Sequence, residues 1–115
     1  MYNYRIRPGY GSTNLLIEFV KGVEKETFLT DLKEALSQVK LNFEEVEDLW
    51  MNNEVLFHVN SSEGKFLLSK DIWEYAFIMA DESQECIKRI DQILSKNEYF
   101  IREEVDFSEY ELKNK

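Results

Sequence analysis

Between Glu54 and Ala80 the chain carries three strand-length apolar patterns separated by two short turns, a spacing that leaves few folds open. Glu54–Asn60 puts Val55, Phe57 and Val59 on one side of an extended chain, the period-two signature of a half-buried strand. Ser61-Ser62-Glu63-Gly64 is a hairpin loop, Lys65–Ser69 returns as a strand, and Lys70-Asp71 turns the chain again. Ile72–Ala80 then reads as a longer strand. One face carries Trp73, Tyr75, Phe77 and Met79, and the other Ile72, Glu74, Ala76, Ile78 and Ala80. A helix there would be apolar all round. Connections this short join antiparallel strands, since a parallel partner needs a crossover of a dozen residues or more.

Two helical patterns accompany this meander. Phe28, Leu29, Leu32, Leu36 and Val39 fall on one face at 3.6 spacing and predict a helix over about 25–39. Asp81 and Gln84 have capping-box spacing and open a second helix to about Lys96, with Ile87, Ile90, Ile93 and Leu94 as its buried stripe and Asn97 as a left-handed cap. Leu15–Val20, broken only by Glu18, suggests a central strand that Gly22 ends. Tyr99–Phe107 is the last strand, with Tyr99, Ile101, Val105 and Phe107 on one side. Residues 43–51 fit a short helix, with Asn42 and Glu45 at N-cap spacing, or a strand that turns at Asn52-Asn53 into Glu54; the strand is adopted. Residues 1–13 read as an irregular lead-in, because Arg7-Pro8-Gly9-Tyr10-Gly11 is turn chemistry. Nothing strand-like precedes that glycine pair and no Lys-Ser follows it, so it is no phosphate loop. Ser108–Lys115 reads as a polar, frayed tail. The expectation is a single α+β domain over 1–115: a mainly antiparallel sheet of five to six strands with two helices packed on one face.

Charge narrows the partners. The net charge is -9, and it is uneven. Residues 1–40 hold five acids and six bases, whereas residues 41–115 hold eighteen acids and eight bases, a net of -10. Such a surface repels nucleic acid and anionic membrane and attracts a basic protein. The first residues have no apolar signal-peptide core, and no apolar run approaches the roughly 20 residues of a spanning helix. One cysteine allows no intrachain disulfide. Together these features predict a cytoplasmic protein.

No catalytic set is legible. Cys86 lies in ECIKRI without a nucleophile motif, and both it and the lone His58 read as structural. A structural zinc site wants four Cys or His ligands, and the chain offers two. The cluster Glu44, Glu45, Glu47, Asp48 lacks the pattern of a calcium loop. Glu103 and Glu104 are neighbours in a strand and point to opposite faces. The expectation is a binding protein rather than an enzyme, with no cofactor and no metal. Residues 43–57 combine Glu44, Glu45, Glu47, Asp48 and Glu54 with Trp50 and Phe57 and contain no Lys or Arg, the make-up of a site for a basic protein. Trp73 and Tyr75 open a second candidate surface. If the helices cover the face with Ala76 and Ala80, the stripe from Trp73 to Met79 lies on the open face and marks an interface; otherwise it is core.

In length, acidity and its aromatic-rich acidic segments FEEVEDLW and IREEVDF, the chain resembles the immunity proteins of bacterial contact-dependent growth inhibition and related polymorphic toxin systems. The resemblance implies a cytoplasmic α/β protein that binds a basic toxin domain, such as a nuclease, and occludes its active site. It assigns no individual residue. Two other classes remain open: a homodimeric structural or regulatory module, and a small carboxylate-based enzyme.

Overall fold

The computed structural model describes residues 2–9, 14–49, 54–71, 75–80 and 82–105, with the Leu49 side chain left aside. It is an α+β fold in which a seven-stranded sheet carries two helices. The strands are β1 (Tyr2–Pro8), β2 (Leu15–Lys21), β3 (Asn42–Leu49), β4 (Glu54–Ser61), β5 (Gly64–Asp71), β6 (Ala76–Met79) and β7 (Phe100–Arg102). The helices are α1 (Phe28–Ala35), followed by a 3-10 turn over Ser37–Val39, and α2 (Gln84–Ser95). The sheet order is β3-β4-β5-β6-β2-β1-β7, antiparallel throughout except for the β1–β7 pair.

The helices cover the face that carries Tyr2, Tyr4, Ile17, Phe19, Phe66, Leu68, Ala76, Ile78 and Phe100, all buried. Alternation explains the choice, because each of these residues sits two positions from the next on its strand. Helix α2 contributes Cys86, Ile87, Ile90, Ile93 and Leu94 to the same core, and α1 contributes Phe28 and Leu32. The condition set for the stripe on β6 is therefore met for its described members. Ala76, Ile78 and Ala80 are buried under the helices, while Phe77 and Met79 are half-buried on the other face. The helix layer stops short of β3, where Val46 shares the helix-facing row with Phe57 yet is 56% exposed.

Several local expectations are corrected. The lead-in holds a strand: Tyr2 and Tyr4 alternate with Asn3 and Arg5, and Pro8 ends the pairing, so a strand does precede the glycine pair. Residues 42–49 form the strand preferred from the sequence, and the helix alternative is not realised. Helix α1 begins at Phe28, because Gly22 (φ 99) and the turn after it use up residues 22–27. Lys40, at φ 51, ends the 3-10 turn, which is docked by the Ser62 amide donating to the Val39 carbonyl at 2.8 Å. Ser83 takes the N-cap position of α2 without a side-chain capping bond, and Gln84 bonds the backbone of Leu15 and Ala80. Asn97 is not left-handed; its side chain accepts from the Tyr99 amide at 2.9 Å. In the last strand Phe100 is the inward residue, and Tyr99 and Ile101 are exposed. The Asn52-Asn53 turn, Asp81 and the segment beyond Val105 lie outside the described residues. The hairpin over Ser61–Gly64 forms as expected, with Gly64 at φ +127, a conformation side chains avoid, beside Ser83.

Tyr4 ties the two halves of the core together and gives the fold a pH signature. It is fully buried in β1, and its hydroxyl donates to Asp91 Oδ1 of α2 at 2.9 Å. Burial first, and then this bond to a carboxylate, push its phenol well above the usual tyrosine range. The folded value lies above the unfolded one, so this contribution to stability is complete below pH 10 and is lost as pH rises through the folded value. In that window Tyr4 makes stability fall by about 1.4 kcal/mol per pH unit. Tyr4→Phe is expected to remove that part of the slope. Urea unfolding at pH 7 and above pH 10 checks it, and parallel slopes in both proteins would contradict the burial of this hydroxyl.

Candidate functional site

Strand β3 is the outermost strand of the sheet, and among the described residues it pairs with β4 alone. The far side of its backbone thus presents a row of N–H and C=O groups with no sheet partner. Its side chains are acidic. A bulge between Phe43 and Glu45 inserts Glu44 as an extra residue, which breaks strict alternation and leaves Glu44 and Glu45 both exposed. Lys65 Nζ, reaching over β4 from β5, lies 3.8 Å from Glu44 Oε1. Asp48 is exposed further along the strand. Phe43 anchors the start of the strand, stacked edge-on against Phe57 at 5.6 Å, with Lys33 Nζ 4.5 Å from its ring centre.

Beyond the bulge the pairing is regular. Glu45 faces His58, Glu47 faces Leu56, and Leu49 pairs with Glu54. Glu45 and Glu47, two positions apart, share a face, and His58 from β4 rises beside them on the face the helices leave open. The His58 Nε2 and Glu47 Oε1 atoms are 3.0 Å apart, in hydrogen-bond contact. Ligand atoms of Glu45, Glu47 and His58 all lie within 4.8 Å of one another. Among the described residues no Lys or Arg pairs with Glu45 or Glu47. A cavity of about 520 Å³ opens alongside, with Glu44, Glu45, His58 and Glu82 on its walls and Leu67 and Met79 among its apolar lining.

The structure therefore brings Glu44, Glu45, Glu47, Asp48 and Glu54 together on one hairpin, as the sequence cluster suggested. Trp50 and Trp73 lie outside the described residues. Tyr75 is 45% exposed but belongs to the connection into β6, three strands from β3. It is linked to Glu54 through Asp71, which pairs with Glu54 and whose carboxylate accepts from the Tyr75 amide at 3.1 Å. His58, read from the sequence as structural, stands beside the β3 carboxylates. It stands half-exposed in the carboxylate group, and the signal lay in its place between Phe57 and Val59, which turns it away from the core. A count of Cys and His alone leaves out carboxylates, and here Glu45 and Glu47 stand beside His58.

Several other titratable groups among the described residues are engaged in structure. Cys86 is buried, its thiol pushed up by burial, with Sγ 3.7 Å from Ser61 Oγ. Near Arg5, Glu18 and Tyr75 a second cavity of about 610 Å³ opens over β1, β2 and β6. Among its lining residues Arg5 pairs with Glu103 at 3.1 Å and Glu18 pairs with Arg7 at 3.1 Å, and Lys21 and Asp71 line it as well. Hydrogen bonds from Asn3 and Arg5 hold the Glu103 carboxyl below the usual range. No helix among the described residues is long and apolar enough to cross a membrane. No protein-family model, curated protein or solved structure matches the chain.

Proposed function

We propose that the chain is a cytoplasmic protein-binding module that captures a basic partner along the acidic edge strand β3, as an immunity protein captures its toxin. One observation carries the proposal. The strand at the edge of the sheet has, among the described residues, an unpaired backbone side and bears Glu44, Glu45, Glu47 and Asp48, with the Lys65 ammonium and the His58 imidazole beside them. An edge strand of this kind accepts an added strand, whose main-chain hydrogen bonds supply affinity. Side chains opposite then decide the partner. Acidic residues across from these carboxylates are destabilising, and Lys or Arg favourable, by about 0.2–1 kcal/mol per pair. The edge thus rejects copies of itself and selects a cationic segment. In a toxin that handles phosphate, the cations so engaged are those that bind its substrate, and capture occludes the active site.

Attraction between opposite charges also sets the kinetics. The association rate with a basic partner is expected to fall on the order of tenfold or more between low and high salt. Replacing Glu44, Glu45 and Glu47 by Gln and Asp48 by Asn together is expected to slow association to a similar degree while leaving the melting temperature nearly unchanged, because exposed carboxylates contribute little to stability. Stopped-flow or surface-based kinetics provides the measurement. A partner complex whose association ignores both salt and the four neutralisations would remove β3 as the docking edge.

A second reading rests on the open face of the sheet, where Leu16, Leu67, Phe77 and Met79 form a contiguous half-buried apolar group across β2, β5 and β6. Self-association through that face would make the chain a homodimer. Sedimentation equilibrium separates the two readings, since edge capture leaves the free chain monomeric.

A further inference from the structure

We propose that Glu45, Glu47 and His58 form a three-ligand site for a first-row divalent cation of the zinc class. The backbone does the positioning. Residues two apart on a strand share a face, and the residue opposite on the next strand stands about 5 Å away at Cβ. Glu45, Glu47 and the opposed His58 fill those three places, so their side chains converge without any strained loop.

The spacing suits an ion. A tetrahedral zinc with bonds of about 2.1 Å holds its ligand atoms roughly 3.4 Å apart. His58 Nε2 and Glu47 Oε1, at 3.0 Å, are already near that separation. The Glu45 carboxylate lies within the 4.8 Å limit of the group, and a side-chain rotation on an exposed surface closes the difference. A bound cation would replace the direct contact between His58 and Glu47.

The ligand chemistry chooses among cations. Imidazole nitrogen favours zinc, cobalt, nickel or copper over magnesium and calcium, which prefer all-oxygen sites. Two carboxylates balance a divalent charge, and neither has a Lys or Arg partner among the described residues. Glu44 and Asp48 add to the local negative potential that gathers cations. Three protein ligands leave at least one coordination position open. Glu45 and His58 both line the cavity of about 520 Å³, so that position is reachable by water or by a side chain from outside. This is the open kind of site rather than the closed four-ligand kind that holds a fold together.

The test uses the full chain and the metal alone, with no partner present, so its failure leaves the docking proposal standing. Titration calorimetry with Zn2+, and visible absorption with Co2+, are expected to show saturable one-to-one binding, while Mg2+ at the same concentration gives none. His58→Ala and Glu47→Gln are each expected to weaken binding at least roughly tenfold, since loss of a direct ligand costs no less than loss of the groups that support one. Glu98→Gln, an exposed carboxylate at the far side of the sheet, should leave the affinity unchanged. All of these side chains are at least partly exposed, so the variants fold, and circular dichroism checks that they do. Absence of saturable Zn2+ and Co2+ binding, or an affinity that His58→Ala leaves intact, would overturn the proposal.

Discussion

Replacing Phe19 with alanine should lower the unfolding free energy by roughly 3–5 kcal/mol, the range for large aromatic truncations in a packed core. Phe19 has no exposed surface, and its strand lies between β1 and β6 in the middle of the sheet. Its ring meets Phe28 of α1 edge-on at 5.2 Å, Tyr4 at 6.2 Å and Phe100 of β7 at 6.2 Å. Tyr2 extends the cluster, stacked on Phe100 at 5.0 Å and edge-on to Phe28 at 5.6 Å, with its hydroxyl donating to Asp31. One ring therefore joins a helix and three strands, and several neighbours must move before the space it leaves can close. Small domains are stable by about 5–15 kcal/mol in total, so the variant should sit near its unfolding midpoint at modest urea. Phe19→Leu, which keeps most of the volume, should cost much less. Urea unfolding followed by circular dichroism gives both values, and a loss below about 1 kcal/mol for alanine would contradict this packing.

The second large effect concerns a charge pair on the face without helices. Arg7 is only 7% exposed, and its Nε donates to Glu18 Oε1 at 3.1 Å. Its Nη1 donates to the Pro8 carbonyl, also at 3.1 Å, and its guanidinium lies 5.9 Å from the centre of the Phe77 ring. A buried ion pair gains little over an apolar pair of the same shape, because both ions must be stripped of water, yet removing one ion alone is costly. Glu18→Leu should destabilise by roughly 3 kcal/mol, the low end for a broken buried pair, since Arg7 keeps its other contacts. Adding Arg7→Met should restore most of that loss. Because the pair is shielded, 1 M salt should change neither result much. If the double variant is less stable than Glu18→Leu, the pair's worth lies in Arg7's other contacts and not in its charge.

How far the fold was legible depended on the range of the signal. The order and antiparallel pairing of β4, β5 and β6 are encoded locally, by alternation and by the turn at Ser61–Gly64, and they form as read, but Lys70 and Asp71, expected as a turn, are the last residues of β5, and β6 runs only over Ala76–Met79. Strand β1 is different. Tyr2 and Tyr4 alternate with Asn3 and Arg5, but Arg7, Pro8 and Gly9 give a stronger turn signal, and only pairing with β2 on one side and β7 on the other makes the segment a strand. The inward face of β7 was equally hidden. Tyr99, Ile101 and Phe100 are all apolar, and the choice of Phe100 is made by α2 and by the ring of Tyr2. The acidic cluster could be read as a cluster because its members are adjacent in sequence. Its meeting with His58 could not, because it depends on the register across the β3–β4 hairpin and on the bulge at Glu44 that resets it.

The parallel pairing of β1 with β7 has a consequence for how the chain assembles. Tyr2 meets Phe100, so closing that contact orders a loop of nearly the whole domain, the most entropically demanding step in the sheet. Until residues 100–102 arrive, β1 is a second open edge, and it carries Arg5 and Arg7 where β3 carries Glu44, Glu45, Glu47 and Asp48. A half-made molecule therefore displays two edges of opposite sign, each a template for the other on a neighbouring chain. The three residues of β7 cover Tyr2, Asn3 and Tyr4 of that edge, and so shorten the stretch along which nascent copies would join end to end.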